Sequence, residues 1–174
     1  MPSLRNRILP TSLLAGATAM LLGVTVAPAV TAPPKITAQG VGQVTLGKRH
    51  SVLRTAGRLG PIQPGCELAG PQARSANLRS PLRGSVDLSS TMPRKVTTIV
   101  VRGGAKARGV GVGSTQAHLK TRFPKAVFDH STDMTFGITI AKIPKSGGGR
   151  LQFAVDTTTK KVTLIGIPRI PFCE

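Results

Sequence analysis

The sequence predicts an α+β fold of two tandem units, each a short helix packed on antiparallel β-strands, with one disulfide. Three observations predict it: the chain matches itself at an offset of 66 residues, each unit ends in alternating apolar segments, and two cysteines stand far apart.

The self-match pairs "VTLGKRHSVLRTAG", residues 44 to 57, with "VGVGSTQAHLKTRF", residues 110 to 123. Val44 falls on Val110, Gly47 on Gly113, Leu53 on Leu119 and Thr55 on Thr121. The same offset pairs "RKVTTI", 94 to 99, with "KKVTLI", 160 to 165. "SVDLSST", 85 to 91, resembles "AVDTTT", 154 to 159, at an offset of 69, which predicts a turn three residues longer in one copy. Two matching blocks in the same order indicate an internal duplication. The first unit then covers 40–102, with a Gly/Pro-rich loop, and the second covers 103–174 with a C-terminal tail.

Each unit starts with a short apolar strand, Val44 to Leu46 or Val110 to Val112, which ends at a glycine able to turn the backbone into a helix. Gly47 and Gly113 are those turn glycines. Ser114 is expected to cap the second helix by accepting from a free amide. Leu119 and Phe123 share one helical face, as do Val52 and Ala56 with Leu53 beside them; Gly57 and Pro124 stop the helices. "GRLGPIQPGCELAGPQ", 57 to 72, reads as an ordered loop held by Cys66. "FGITIAKIP", 136 to 144, reads as a strand, and "LQFAVDTTTKKVTLIGI", 151 to 167, as a hairpin with Val162, Leu164 and Gly166 on one side of its second strand.

Ahead of these units, Arg5 and Arg7 precede an apolar run from Ile8 to Val26 that ends in Ala27-Pro28-Ala29. A basic stretch, an apolar stretch and a small-x-small site form a secretory signal over 1–29, with cleavage after Ala29 or after Ala32. Residues 30–39 read as a tether, and the mature protein is expected to be secreted or cell-wall associated, with no transmembrane segment. In an oxidising compartment Cys66 and Cys173 are expected to pair, closing a loop of about 107 residues worth about 4–5 kcal/mol in chain-entropy terms.

The run "VGVGSTQAHLKTRFPKA" followed by antiparallel strands resembles the helix-then-sheet repeat of beta-lactamase inhibitory protein and of the small outer-membrane assembly lipoproteins. The inhibitory protein holds two such repeats in tandem, so the resemblance implies that fold for residues 40 to 167 and leaves the activity open. The chain as a whole is similar to exported proteins of high-GC Gram-positive (actinobacterial) type. A tight inhibitory interface normally relies on aromatic anchors, and this chain has no Tyr, no Trp and five Phe, two of them at core positions.

After removal of 1–29 the chain keeps 22 Lys+Arg against 6 Asp+Glu, a net +16. A field of that size attracts polyanions and anionic lipid. Arg49, Arg54 and Arg58 in the first unit and Lys120, Arg122 and Lys125 in the second are the candidate anion-binding residues. His50 and His118 are expected to face solvent. "FDHSTD", 128 to 133, gathers Asp129, His130, Ser131 and Asp133, but adjacency in sequence supplies neither a convergent triad nor a fourth metal ligand. "GVGVGST" lacks the lysine of a nucleotide phosphate loop.

The expectation is therefore a non-enzymatic envelope or extracellular protein, without metal or cofactor, that binds anionic polymer or membrane. A secreted inhibitor or protein-interaction module is the alternative. Near absence of stacking aromatics argues against sequence-specific nucleic-acid recognition.

Overall fold

The computed structural model describes residues 32–144 and 150–172, and the chain from Ala32 onward forms one compact unit. The signal segment and Cys173 lie outside the described residues. The content is α+β, with strands well in excess of helix.

Three two-residue strands, β1 (Ile36–Thr37), β2 (Gly40–Val41) and β3 (Val44–Thr45), form a small antiparallel sheet and lead into helix α1 (His50–Thr55). Then come β4 (Leu59–Pro64), β5 (Arg74–Leu78), β6 (Arg83–Leu88) and β7 (Val96–Gly103). The chain crosses to α2 (Gln116–Arg122) and continues through β8 (Val127–Asp129), a one-turn α3 (Asp133–Phe136), β9 (Ile138–Ile143), β10 (Leu151–Asp156) and β11 (Val162–Ile167). Strands β4 to β11 make one eight-stranded antiparallel sheet in the order β4-β5-β6-β7-β11-β10-β9-β8.

Each half of that sheet is a helix followed by four strands, and the two last strands meet at the centre. Val100 of β7 lies opposite Gly166 of β11, and the flanking pairs are Ile99 with Ile167 and Val101 with Ile165. The entry to each helix is tied to the sheet in the same way. Gly47 N donates to Val96 O at 2.8 Å and Gly113 N to Val162 O at 2.7 Å; Arg49 bridges Lys95, and Thr115 bridges Lys161. These paired positions are 66 residues apart, as in the sequence self-match.

The offset of 69 for the preceding strands is corrected. Val86 pairs with Ile99 and Phe153 with Ile165, so Val86 corresponds to Phe153, an offset of 67. Ser89 and Asp156 then occupy the same place, their amides donating to Lys95 O and Lys161 O at 2.8 and 2.9 Å. The turns differ by one residue, not three. The repeated Val-Asp letters misled because a strand of alternating pattern tolerates a slip of two residues without changing which face is apolar.

Bulges account for a second correction. The β10–β11 register shifts between Ala154 and Val155, so Val155 pairs with Val162 and Ala154 with Leu164. An extra residue reverses the facing beyond it. Val162 and Ile165 therefore join the main core, while Leu164 packs on the opposite face with Ile140, Ala154 and Ile170. The expected face of Val162, Leu164 and Gly166 is thus split.

Among the short elements, Leu59–Pro64 is a strand where a loop was expected. Pro61 and Pro64 are accommodated because β4 is an edge strand, with a register shift between Leu59 and Ile62. Val110 to Val112 is not a strand: Ala107 and Val110 exchange backbone bonds of 2.8 and 2.9 Å around a two-residue turn. Part of the expected tether is structured, since Ile36 is buried and its amide donates to Lys106 O at 2.8 Å. The cap of α2 is Thr115, whose Oγ1 accepts from His118 N at 3.2 Å; Ser114 Oγ accepts from Gly111 N. On α1 only Leu53 of the expected apolar face is buried, with Val52 51% exposed. His50 is also buried: its Nε2 donates to the Gly60 carbonyl at 2.9 Å, and among the described residues no fully buried side-chain nitrogen or oxygen lacks a partner.

Gly47 and Gly113 have φ of +78° and +88°, left-handed values that an L side chain adopts at a cost. A Cβ at Gly113 would meet no neighbouring atom, so Gly113→Ala isolates the backbone term. The expected loss is about 1–2 kcal/mol, read from urea midpoints by circular dichroism. An unchanged midpoint would refute the turn's need for glycine.

One face of the large sheet carries the core. Val86, Ile99, Phe153, Val155, Ile165 and Ile167 pack there against Val41, Val44, Leu53, Ala107, Val110, Leu119 and Phe123. The small sheet, both helices and the 104–115 connection thus lie in one layer over that face. Across the other face run residues 168–172, where Ile170 N donates to Gln152 Oε1 at 2.8 Å and the Phe172 ring stacks on Phe136 at 4.7 Å. Cys66 Sγ lies 4.0 Å from the Phe172 carbonyl oxygen, next to the position of Cys173 in the sequence.

Candidate anion-binding face

The layer over the core face is built from segments that lack acid. Residues 32–66 and 88–128, which include the whole layer, carry 13 Lys and Arg and no Asp or Glu. The carboxylates fall elsewhere: Glu67 in the turn after β4, Asp87 in β6, Asp129 at the end of β8, Asp133 in α3 and Asp156 at the end of β10. Each helix buries little, His50 and Leu53 on α1 and Leu119 on α2, so most of its short circumference is open to solvent.

Arg49, Arg54, Arg58, Lys120, Arg122 and Lys125 are all exposed on this layer. The two ion pairs among the described residues, Lys142–Asp129 and His130–Asp133, use none of them. Arg58 Nε donates to Gln43 Oε1 at 2.9 Å, and Lys120 Nζ stands 5.0 Å from the Phe128 ring centroid. No carboxylate among the described residues pairs with any of these six groups, so an incoming anion has no such partner to displace.

Sequence reasoning missed Lys35, Lys106 and Arg108, which the structure adds to the same layer. Arg108 occupies the Ala107–Val110 turn with φ +48°, followed by Gly109 at +87°. That turn holds its guanidinium 5.5 Å from the Phe123 ring centroid. A Cβ at Gly109 would lie 3.8 Å from Arg122 Nε and 4.0 Å from His118 Nε2, ordinary contact distances, so the left-handed φ of the turn, and not space beside α2, favours glycine here. The absence of any acid between Leu88 and Phe128 was the available signal; which of these cations share a surface depends on the loop's path.

The Asp-His cluster is engaged in local structure. His130 Nδ1 pairs with Asp133 Oδ2 at 2.7 Å, and Thr139 Oγ1 donates to Asp133 Oδ1 at 2.7 Å. Asp129 accepts from Lys142 Nζ and from Ser131 N. These donors hold the Asp129 and Asp133 carboxyls below the ordinary carboxylate range, chiefly through Lys142 and His130. Backbone bonds from Thr159 act on Asp156 in the same direction, whereas burial pushes Asp87 up against the opposing effects of Thr98 and Arg169. No group of three or more His, Cys, Asp or Glu side chains converges as metal ligands among the described residues. No helix of the described residues is long and apolar enough to cross a membrane.

Compared with family models, curated proteins and solved structures, the chain finds no match in any of the three.

Proposed function

We propose that the chain is a non-enzymatic secreted or cell-envelope protein whose helix-bearing face binds anionic polymer or membrane surface. The observation that carries this reading is the segregation of charge. Thirteen cations fall within the two spans that include the layer, some of them, such as Arg102 of β7, on the sheet itself, while every acid lies outside those spans. A face of one sign concentrates field and recruits polyanions through many weak contacts. Export is part of the proposal and rests on Arg5, Arg7 and the apolar run before Ala29.

Two architectural readings accompany it. The halves are copies of one unit, supported by the matched helix entries 66 residues apart and by the meeting of β7 and β11 about Val100 and Gly166. Cys66 pairs with Cys173, supported by the approach of Phe172 to Cys66 Sγ. Such a bond fastens the chain end across the sheet face that the helices leave uncovered.

The test is retention of the chain starting at Val30 on an anionic polymer matrix. Binding at about 50 mM salt that is lost by about 0.5 M is expected, because each contact releases counterions. Flow-through at the lowest salt overturns the reading. Saturable, salt-resistant capture of one protein would instead support the inhibitor or interaction module.

A further inference from the structure

A cleft of about 960 Å³ opens at one end of the helix layer. It lies between β1, the Ala107–Val110 turn, the end of α2 and the strands β9 and β10. Its floor is apolar: Ile36, Phe123 and Leu151 are buried, and Ile143 packs beside them. Its rim is cationic. Lys35, Lys106, Arg108 and Lys125 line it, all four exposed, and no carboxylate does so among the described residues.

The two characters are adjacent by construction. Lys35 and Lys106 are held side by side by a parallel bridge, and Ile36, the next residue, turns its side chain into the core. Arg108 sits over the ring of Phe123, which belongs to the floor, so one cation marks the border between wet rim and dry cleft. Volumes of this order accommodate small organic ligands. A soluble polyanion satisfies the rim and leaves the floor wet; a neutral hydrophobe fills the floor and leaves the rim unused. A molecule with a hydrocarbon chain and an anionic head satisfies both.

We propose that this cleft takes an acyl chain of one anionic glycerophospholipid, with the head phosphate among Lys35, Lys106, Arg108 and Lys125. A phosphodiester holds its two charged oxygens and two ester oxygens on a tetrahedral centre, so it can be approached from several directions by four cations arriving from three segments of chain, whereas a fatty-acid carboxylate presents its two oxygens in one plane. The proposal rests on the reading of the layer as an anion-binding face and narrows it to a single lipid molecule.

The experiment titrates the chain starting at Val30 with monomeric dioctanoyl phosphatidylglycerol by calorimetry. Saturable uptake of one lipid per chain is expected. Ala126→Trp fills the cleft without altering charge, so it should weaken uptake about tenfold or more while leaving retention on anionic polymer unchanged. Lys106→Glu, at an exposed rim position, should weaken uptake as well and provides the check if the tryptophan variant does not fold. No uptake by the native chain, or equal uptake by native chain and both variants, overturns the proposal. So does equal affinity for glycerol phosphate, which would mean an anion site without a chain. Tighter uptake of dodecanoate would move the source to free fatty acid and also overturn it. Self-association of the native chain, abolished by Ala126→Trp and without lipid uptake, would make the occupant a second copy. Polymer retention is read separately, so failure of the anion-binding face and failure of the cleft are distinguishable.

Discussion

Phe153→Ala is expected to lower the unfolding free energy by about 3–5 kcal/mol, the range for deleting a fully buried aromatic side chain. Phe153 is 0% exposed in β10, paired with Ala141 on one side and Ile165 on the other. Its ring lies 5.3 Å from that of Phe123 at an interplanar angle of 49°, and Phe123 in turn carries Arg108. The truncation therefore opens a cavity between sheet and helix layer and removes the support under the Arg108 turn. Domains of this kind have about 5–15 kcal/mol in total, so the variant sits near its folding threshold. Urea unfolding followed by circular dichroism measures the change. Phe153→Leu, which keeps most of the volume, should lose clearly less. A loss under about 1 kcal/mol for Phe153→Ala would mean that the ring is not at the centre of the core.

The second large effect is on binding. Lys120→Glu, Arg122→Glu and Lys125→Glu together should make the salt dependence of polymer binding shallower by about 3 in log K against log salt, one contact for each position. Affinity at low salt should fall by about two orders of magnitude or more. All three residues are exposed and none is in an ion pair among the described residues, so stability should move by about 0.5 kcal/mol or less at each site. The same reversal at Arg74, Arg83 and Arg169, outside the helix layer, is the control for net charge. Equal losses in the two triples would show that total charge, and not this face, drives binding.

How much could be read in advance differs from element to element. The glycine-to-helix turns at Gly47 and Gly113 were legible because a left-handed residue before a helix has few alternatives to glycine. Strands β9, β10 and β11 were legible from their alternation, and Phe123 and Phe153 were correctly placed in the core. Strand β4 was hidden by its prolines, whose tolerance depends on the strand lying at an edge. The burial of His50 was hidden because its partner, the Gly60 carbonyl, is supplied by that same strand. Of the basic face, the six helix-associated cations were legible, whereas Lys35, Lys106 and Arg108 joined only when the 104–115 connection was seen to fold over the core.

By itself the sequence determined the local and the additive properties: an α+β composition, the two glycine turns, the strong positive charge and the stretches free of acid. These follow from single residues and short periods, which do not depend on distant neighbours. Tertiary structure alone decided that both halves share one eight-stranded sheet, which residues a bulge turns from one face to the other, and that an apolar cleft lies beside four cations. Each of those depends on pairing register and on contacts between segments remote in sequence, where one inserted residue exchanges inside for outside.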